Sequence, residues 1–330
     1  MSSILDSLVS DNLAVVILLL IVGLALVLIG AEVLVDGSST IARKLGISEF
    51  VIGLSIVALG TSAPEMVVSF VGAVQGKSDI SVGNILGSNI FNTAFVLGLS
   101  ALIAPVIVTK TNRRRDLPVN LLVTLMLFLM GMTATVFHRG SDTIGRVDGA
   151  IFLAVFVAYM VMSFFSPEKS ADEEAPKNQD KSVGISLAFI IGGILALVFG
   201  GQIFVSSAEA IAIRAGLSEK FIAVTILACG TSLPELATSI VAAAKGRGQM
   251  ALGNVLGSNA CNVLLIVGGS ALIHPLSLAG IDLIDFAALG ALAIIPLVSI
   301  IFSRNKVNRA EGAVLLVVGL AYMGYLIATI

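Results

Sequence analysis

Charge is what this sequence has least of. Of 330 residues, 12% are Asp, Glu, Lys or Arg, where a soluble domain carries roughly 25%. That deficit excludes an ordinary soluble enzyme. A hydrophobic content of 57% excludes a disordered chain, which needs low hydrophobicity and high charge. A net charge of −2 without a basic, aromatic-rich cluster excludes a nucleic-acid partner. Cysteine is nearly absent: Cys229 and Cys261 stand apart in apolar stretches and read as small buried hydrophobes, not as a zinc site. Histidine is limited to His138 and His274, at the ends of apolar runs. No imidazole therefore stands at mid-span as a base, and no His-Glu-x-x-His occurs, so no enzyme and no cofactor are expected. Gly76-Lys77-Ser78 ends like a phosphate-binding loop, but Val71 stands where that motif needs glycine. The N-terminus lacks a basic segment and carries Asp6 and Asp11, so its first apolar run reads as a retained span and not a cleaved signal.

What the chain does have is long apolar runs. A membrane-spanning helix needs about 20 apolar residues. Runs of that kind occur near 13–42, 49–74, 81–104, 117–137, 147–165, 183–213, 219–244, 250–273, 283–303 and 310–329. Between the fifth and sixth lies Ser166–Ser182, polar, charged and proline-bearing, the composition of a surface linker. It separates residues 1–165 from 183–330. Residues 53–105 align with 223–275 without a gap at an offset of 170, with nearly half the positions identical. An odd number of spans per copy makes the second copy enter the membrane from the opposite side. The expected fold is an all-α integral membrane protein of ten transmembrane helices, built as two inverted five-helix repeats. With the N-terminus outside, the inner loops collect 14 of the 19 Lys and Arg and the outer segments 5. Basic loops favour the cytoplasm, which places both termini outside and the linker inside.

Each copy carries one Gly-Thr-Ser-x-Pro-Glu, Gly60–Glu65 and Gly230–Glu235, near the middle of a span. A carboxylate there costs several kcal/mol, roughly 3 by insertion scales, and marks a functional site. Proline has no N–H and clashes with the carbonyl four residues back, so carbonyls near Ala58–Gly60 and Ala228–Gly230 are expected to leave the helical ladder. Those carbonyls, the hydroxyls of Thr61, Ser62, Thr231 and Ser232, and the carboxylates of Glu65 and Glu235 make an all-oxygen environment, which suits hard cations such as Ca²⁺ and Na⁺. A plain proline kink with an ion-paired glutamate fails on supply, because no Lys, Arg or His lies in the apolar core of a span. The second repeated motif is Gly83-Asn84-x-x-Gly87-Ser88-Asn89 with Asn92, matched by Gly253-Asn254-x-x-Gly257-Ser258-Asn259 with Asn262. Spacings of four put Asn84, Ser88 and Asn92 on one helical face, and likewise Asn254, Ser258 and Asn262. Ser88, Asn92, Ser258 and Asn262 are expected to line the site. Asn84, Asn89, Asn254 and Asn259 fit either a site or the hydrogen bonds that glue helices together. Glu32, Asp36 and Glu209, toward the ends of the long first and sixth spans, read as interfacial.

The paired motifs resemble the two α-repeats of the cation/Ca²⁺ exchanger superfamily, in particular its bacterial and archaeal Na⁺/Ca²⁺ exchangers. The resemblance covers all ten expected spans, with its specific part in 53–105 and 223–275. It implies a mid-membrane site between the second, third, seventh and eighth helices. Carried over, Glu65 and Glu235 share Ca²⁺ or Na⁺, and Thr61, Ser62, Thr231, Ser232, Ser88 and Ser258 add hydroxyls. The Ala58 and Ala228 carbonyls complete flanking Na⁺ sites, and Asn92 and Asn262 form a central polar pair. Some members, the K⁺-dependent exchangers among them, have Asp at the position of Asn262, so Asn resembles the K⁺-independent type. The proton-coupled branch carries Gly-Asn-x-x-Glu where this chain has Gly-Thr-Ser-x-Pro-Glu. The implied function is electrogenic, K⁺-independent Na⁺/Ca²⁺ antiport in the plasma membrane, by rocking of the first and sixth helices against the other eight. The alternatives are an H⁺/cation antiporter of the same fold and a cation channel. Ca²⁺ and Na⁺ are the expected substrates, with the bilayer as surroundings and no obligate protein partner.

Overall fold

A computed structural model describes residues 13–76, 78–138, 140–165, 182–216, 228–278, 281–302 and 305–329. The expected linker therefore lies outside the described residues, apart from Ser182.

Among the described residues, six helices are long and apolar enough to cross a membrane: α1 (Leu13–Leu45), α4 (Val82–Ile103), α6 (Arg146–Phe164), α7 (Val183–Arg214), α10 (Gly248–Ile273) and α12 (Arg309–Thr329). A seventh candidate is a broken pair, α2 (Glu49–Thr61) and α3 (Ala63–Val74), bent by 52°. The other expected spans correspond to shorter pieces: α5 (Leu117–Gly131), α8 (Ala228–Thr231) with α9 (Leu233–Ala244), and α11 (Leu283–Phe302). The start of the expected span 219–244 falls on residues that are not described. The protein is thus a mostly helical, multi-pass membrane chain.

The element pattern repeats along the chain. α3 and α9 have corresponding bounds at the offset of 170, and so do strands β1 (Val106–Ile107) and β3 (Leu276–Ser277). The strands pair crosswise: β1 runs antiparallel to β4 (Lys306–Val307), and β3 to β2 (Thr143–Ile144). The helices that follow cross over in the same way. Gly149 of α6 sits against Gly268 of α10, and Gly312 of α12 against Gly98 of α4, so closely that an added Cβ would lie 2.6 and 2.7 Å from a facing carbonyl oxygen. Each half thus closes on the other, which buries α4 and α10 at the centre: Val255, Val263, Leu264 and Val96 are fully buried.

α1 has 33 residues and α7 has 32. At 1.5 Å per residue each is about 50 Å long, well beyond a hydrocarbon core of about 30 Å. They pack on each other along a glycine seam. Gly23 meets Gly200, Gly30 meets Gly193 and Gly37 meets Ser186. The partner number falls by seven as the other rises by seven, so the two helices are antiparallel. Small residues at this spacing let backbones approach where no hydrophobic force between helices exists.

Candidate functional site

The site forms where the broken α2–α3 meets α8–α9, with α4 and α10 between them. In each half the break falls at the motif serine: Ser62 has φ −80° and ψ 9°, and Ser232 φ −87° and ψ 9°. Proline then occupies the first turn of the new helix, where its missing N–H costs nothing. Pro64 and Pro234 do not kink a continuous helix; they start a second one. Glu65 and Glu235 follow in that first turn, where the helix dipole favours negative charge.

One sequence expectation is modified here. The Ala58 carbonyl keeps its helical partner, accepting from the Ser62 N–H at 2.9 Å, and also faces the Thr61 hydroxyl at 3.3 Å. The carbonyl that loses its donor is Gly60, four residues before Pro64.

The glutamates are held by crossed hydrogen bonds. Ser62 Oγ donates to Glu235 Oε1 at 2.9 Å, and Ser232 Oγ donates to Glu65 Oε1 at 3.2 Å. Ser88 and Ser258 add their hydroxyls to the same oxygens, Glu65 Oε1 and Glu235 Oε1, at 3.4 Å each. Each carboxylate thus takes one serine from either half on one oxygen. Its other oxygen, Oε2, is buried and has no donor. Asn92, with both amide atoms unpaired, and the Oδ1 of Asn262 join this set, and Thr231 Oγ1 is likewise buried without a completed bond. Buried polar atoms are nearly always satisfied. A group of acceptor oxygens held inward without donors, with two carboxylates among them, is a binding geometry for a hard cation.

The remaining asparagines of the second motif do the gluing. Asn89 Nδ2 donates to the Asn259 carbonyl at 3.2 Å, Asn262 Nδ2 to Asn89 Oδ1 at 2.9 Å, and Asn259 Nδ2 to Thr93 Oγ1 at 2.9 Å. These bonds tie α4 to α10. The sequence-expected residues Glu65, Glu235, Ser62, Ser232, Ser88 and Ser258 are joined by these bonds, Thr61 and Asn262 are tied to Asn254 and Asn89, and Asn92 is buried without a bond. Ala228 lies in α8, at the position that corresponds to Ala58. Cys261 is buried and Cys229 half-buried, both as free thiols.

Sequence reasoning missed a charged cluster at one mouth. Lys245, after α9, pairs with Glu32 at 3.1 Å and Asp36 at 2.8 Å, both on α1. Arg247 pairs with Glu49, which also accepts from the Ser39 hydroxyl at 3.0 Å. The available signal was the spacing of four between Glu32 and Asp36, which puts both on one face of the helix.

With this geometry in view, comparison with known proteins is specific. A family model described as "Sodium/calcium exchanger protein" matches residues 15–165 and 185–328. The chain is 36% identical over 318 residues to the putative antiporter CaxA of Alkalimonas amylolytica, covering 92% of this chain and 95% of that one. It is 31% identical over 342 residues to the sodium/calcium exchanger MaX1 of Methanosarcina acetivorans, covering 93% and 97%. Among solved structures, the sodium-calcium exchanger NCX_Mj soaked with 10 mM Na⁺ and no Ca²⁺ superposes with a TM-score of 0.81 at 31% identity, covering 95% of this chain and 99% of that one.

Proposed function

From the premise that this chain belongs to the sodium/calcium exchanger family, we propose that it is an electrogenic, K⁺-independent antiporter that exchanges Na⁺ for Ca²⁺ by alternating access. In this reading Glu65 and Glu235 hold the ions, helped by Thr61, Ser62, Ser88, Thr231, Ser232 and Ser258, the Ala58 and Ala228 carbonyls, and the pair Asn92 and Asn262. The observation that carries it is the crossed arrangement at the centre: each carboxylate is fixed through one oxygen by a serine of the other half, and its second oxygen is buried and unpaired. Two carboxylates match one Ca²⁺ or more than one Na⁺, so the ions compete for the same oxygens. If more charge enters as Na⁺ than leaves as Ca²⁺, voltage contributes about 2.3 kcal/mol per charge per 100 mV.

The ten-span, inverted-repeat architecture belongs to the same proposal. It is supported by the crosswise strand pairs, the antiparallel α1–α7 seam and the offset of 170. The basic-residue distribution supports both termini outside the plasma membrane and residues 166–182 in the cytoplasm.

The test is Na⁺-gradient-driven ⁴⁵Ca²⁺ uptake in proteoliposomes. Glu65→Gln and Glu235→Gln should each abolish it, and wild-type flux in either removes the site assignment. Added K⁺ should change nothing. Uptake driven by a pH gradient without Na⁺ would move the protein to the proton-coupled alternative, and single-channel currents would make it a channel.

A further inference from the structure

The GN motifs of the two halves differ at one position, Ile85 against Val255, yet their asparagines do different things. Asn254 is fully buried and bridges the halves. Its Oδ1 accepts from Thr61 Oγ1 at 3.2 Å, and its Nδ2 donates to Ser239 Oγ at 2.9 Å and to the Glu235 carbonyl at 3.4 Å. Asn254 thus fixes a threonine of the first half to the glutamate-bearing helix of the second.

At the offset of 170, the mates of these residues are Asn84, Thr231, Ser69 and Glu65. The mirror-image set is unmade. Asn84 Nδ2 and Ser69 Oγ are buried without a hydrogen-bond partner. The Thr231 hydroxyl lies toward Glu65 but completes no bond. These are the three side-chain atoms or groups that would form the second bridge. Gly83 is exposed and Asn84 half-exposed, while Gly253 and Asn254 are buried; Phe50 and Leu54 cover Gly253, and their mates Lys220 and Val224 lie outside the described residues.

We propose that Asn254 and Asn84 are positioning residues that alternate: Asn254 locks Thr61 when access is from the Gly83 side, and Asn84 locks Thr231 when access is from the Gly253 side. An unpaired buried amide is costly, so three unpaired groups at matching places are accounted for if they pair in another state of the same chain. Inverted halves reach a second access state by exchanging roles. A ligand or bond can move such an equilibrium only by favouring one state over the other, and each bridge does so with an opposite sign. Because each asparagine holds a threonine beside the carboxylates, the bridge also decides which half's hydroxyl is fixed for an ion and which is free. This inference rests on the alternating-access reading above.

The experiment reads conformation without ion flux. Gly83→Cys is placed in a Cys229→Ala/Cys261→Ala background in nanodiscs, with both faces open to a hydrophilic maleimide. Asn254→Ala and Ser239→Ala should slow labelling about threefold to tenfold, the loss expected for one or two hydrogen bonds. Asn84→Ala and Ser69→Ala should leave it unchanged or faster, and Asn254→Ala/Asn84→Ala together should return it toward the starting rate. Ser239→Ala removes a single hydroxyl and carries the test if Asn254→Ala does not fold. No slowing in the Asn254 and Ser239 variants, or equal slowing in all four, overturns the alternation. A starting protein that labels normally but fails to exchange Na⁺ for Ca²⁺ overturns the transport reading instead.

Discussion

Glu65 takes Ser88 and Ser232 on one oxygen, and Glu235 takes Ser258 and Ser62 in the same way. A few turns from this centre the correspondence between the halves is lost. Around Gly253 and Gly257, α10 presses on α2 so closely that an added Cβ would lie 2.2 Å from the Phe50 oxygen and 2.4 Å from the Leu54 oxygen. The mates Gly83 and Gly87 are exposed and half-exposed. The charged cluster is one-sided too: the mates of Lys245, Glu32 and Asp36 are Gln75, Gln202 and Ser206, which cannot form an ion pair. The difference teaches that the crossed serine–glutamate bonds keep the two halves alike at the centre, while the packing and charge farther out differ between them.

Three changes would break or sharpen this comparison, taken from the largest effect to the smallest. Gly253→Val drives a side chain into backbone and should cost about 3 kcal/mol, while Gly83→Val should cost less than about 1 kcal/mol. Melting curves of the two purified variants check this, and equal losses would mean that the mouths are packed alike. Next comes the ion-pair cluster. Arg247→Gln removes the partner of Glu49, which is mostly buried, and should cost about 1–2 kcal/mol. Lys245→Gln faces half-exposed acids and should cost about 0–1 kcal/mol. Melting curves of the two purified variants give the order, with the larger loss expected for Arg247→Gln. The reverse order would mean that burial does not rank the two pairs.

The smallest effect concerns the loops beyond the spans. Asp142, beside β2, accepts from Thr135 Oγ1 at 2.6 Å and from the amides of Ala134 and Thr135 at 2.8 and 3.1 Å. These bonds hold its carboxyl below the usual range. A depressed folded value stabilises the loop above the unfolded value of about 4 and loses that stabilisation as the pH falls through the folded value. Hydrogen exchange at the Ala134 and Thr135 amides should therefore lose protection below about pH 4. Asn305 occupies the corresponding place beside β4, where its backbone oxygen accepts from Val108 as that of Asp142 does from Leu278. It has no charge to lose, so the Val108 amide should show no such change.

Much of the site could be read in the sequence because lipid makes exceptions conspicuous. A glutamate in an apolar run has few explanations, and finding it twice at an offset of 170 ties both copies to one place. Proline announced the break. The length of the break was not legible, because whether Ala58 or Gly60 loses its donor depends on where the second helix starts. The asparagines show the same boundary. Their spacing of four put them on one face, but Asn92 is buried without a bond while Asn89 and Asn259 tie helices together. That division depends on what stands opposite, and periodicity holds no such information. Glu32 and Asp36 looked interfacial because their partner lies more than 200 positions away, past α9.

Composition, hydropathy and the repeat determined that this is a multi-pass membrane protein with two like units and one acidic, oxygen-rich motif in each. Those properties follow from transfer energies and local periodicity, which a chain carries residue by residue. Only the tertiary structure decided that Ser62 and Ser232 each bond the other half's glutamate, and that Asn254 Nδ2 is bonded while Asn84 Nδ2 is not. The asparagines and their partners stand at matching places in both motifs, so the difference between them arises from long-range packing. Gly253 is closed in by Phe50 and Leu54, residues distant in sequence that no local rule brings to it.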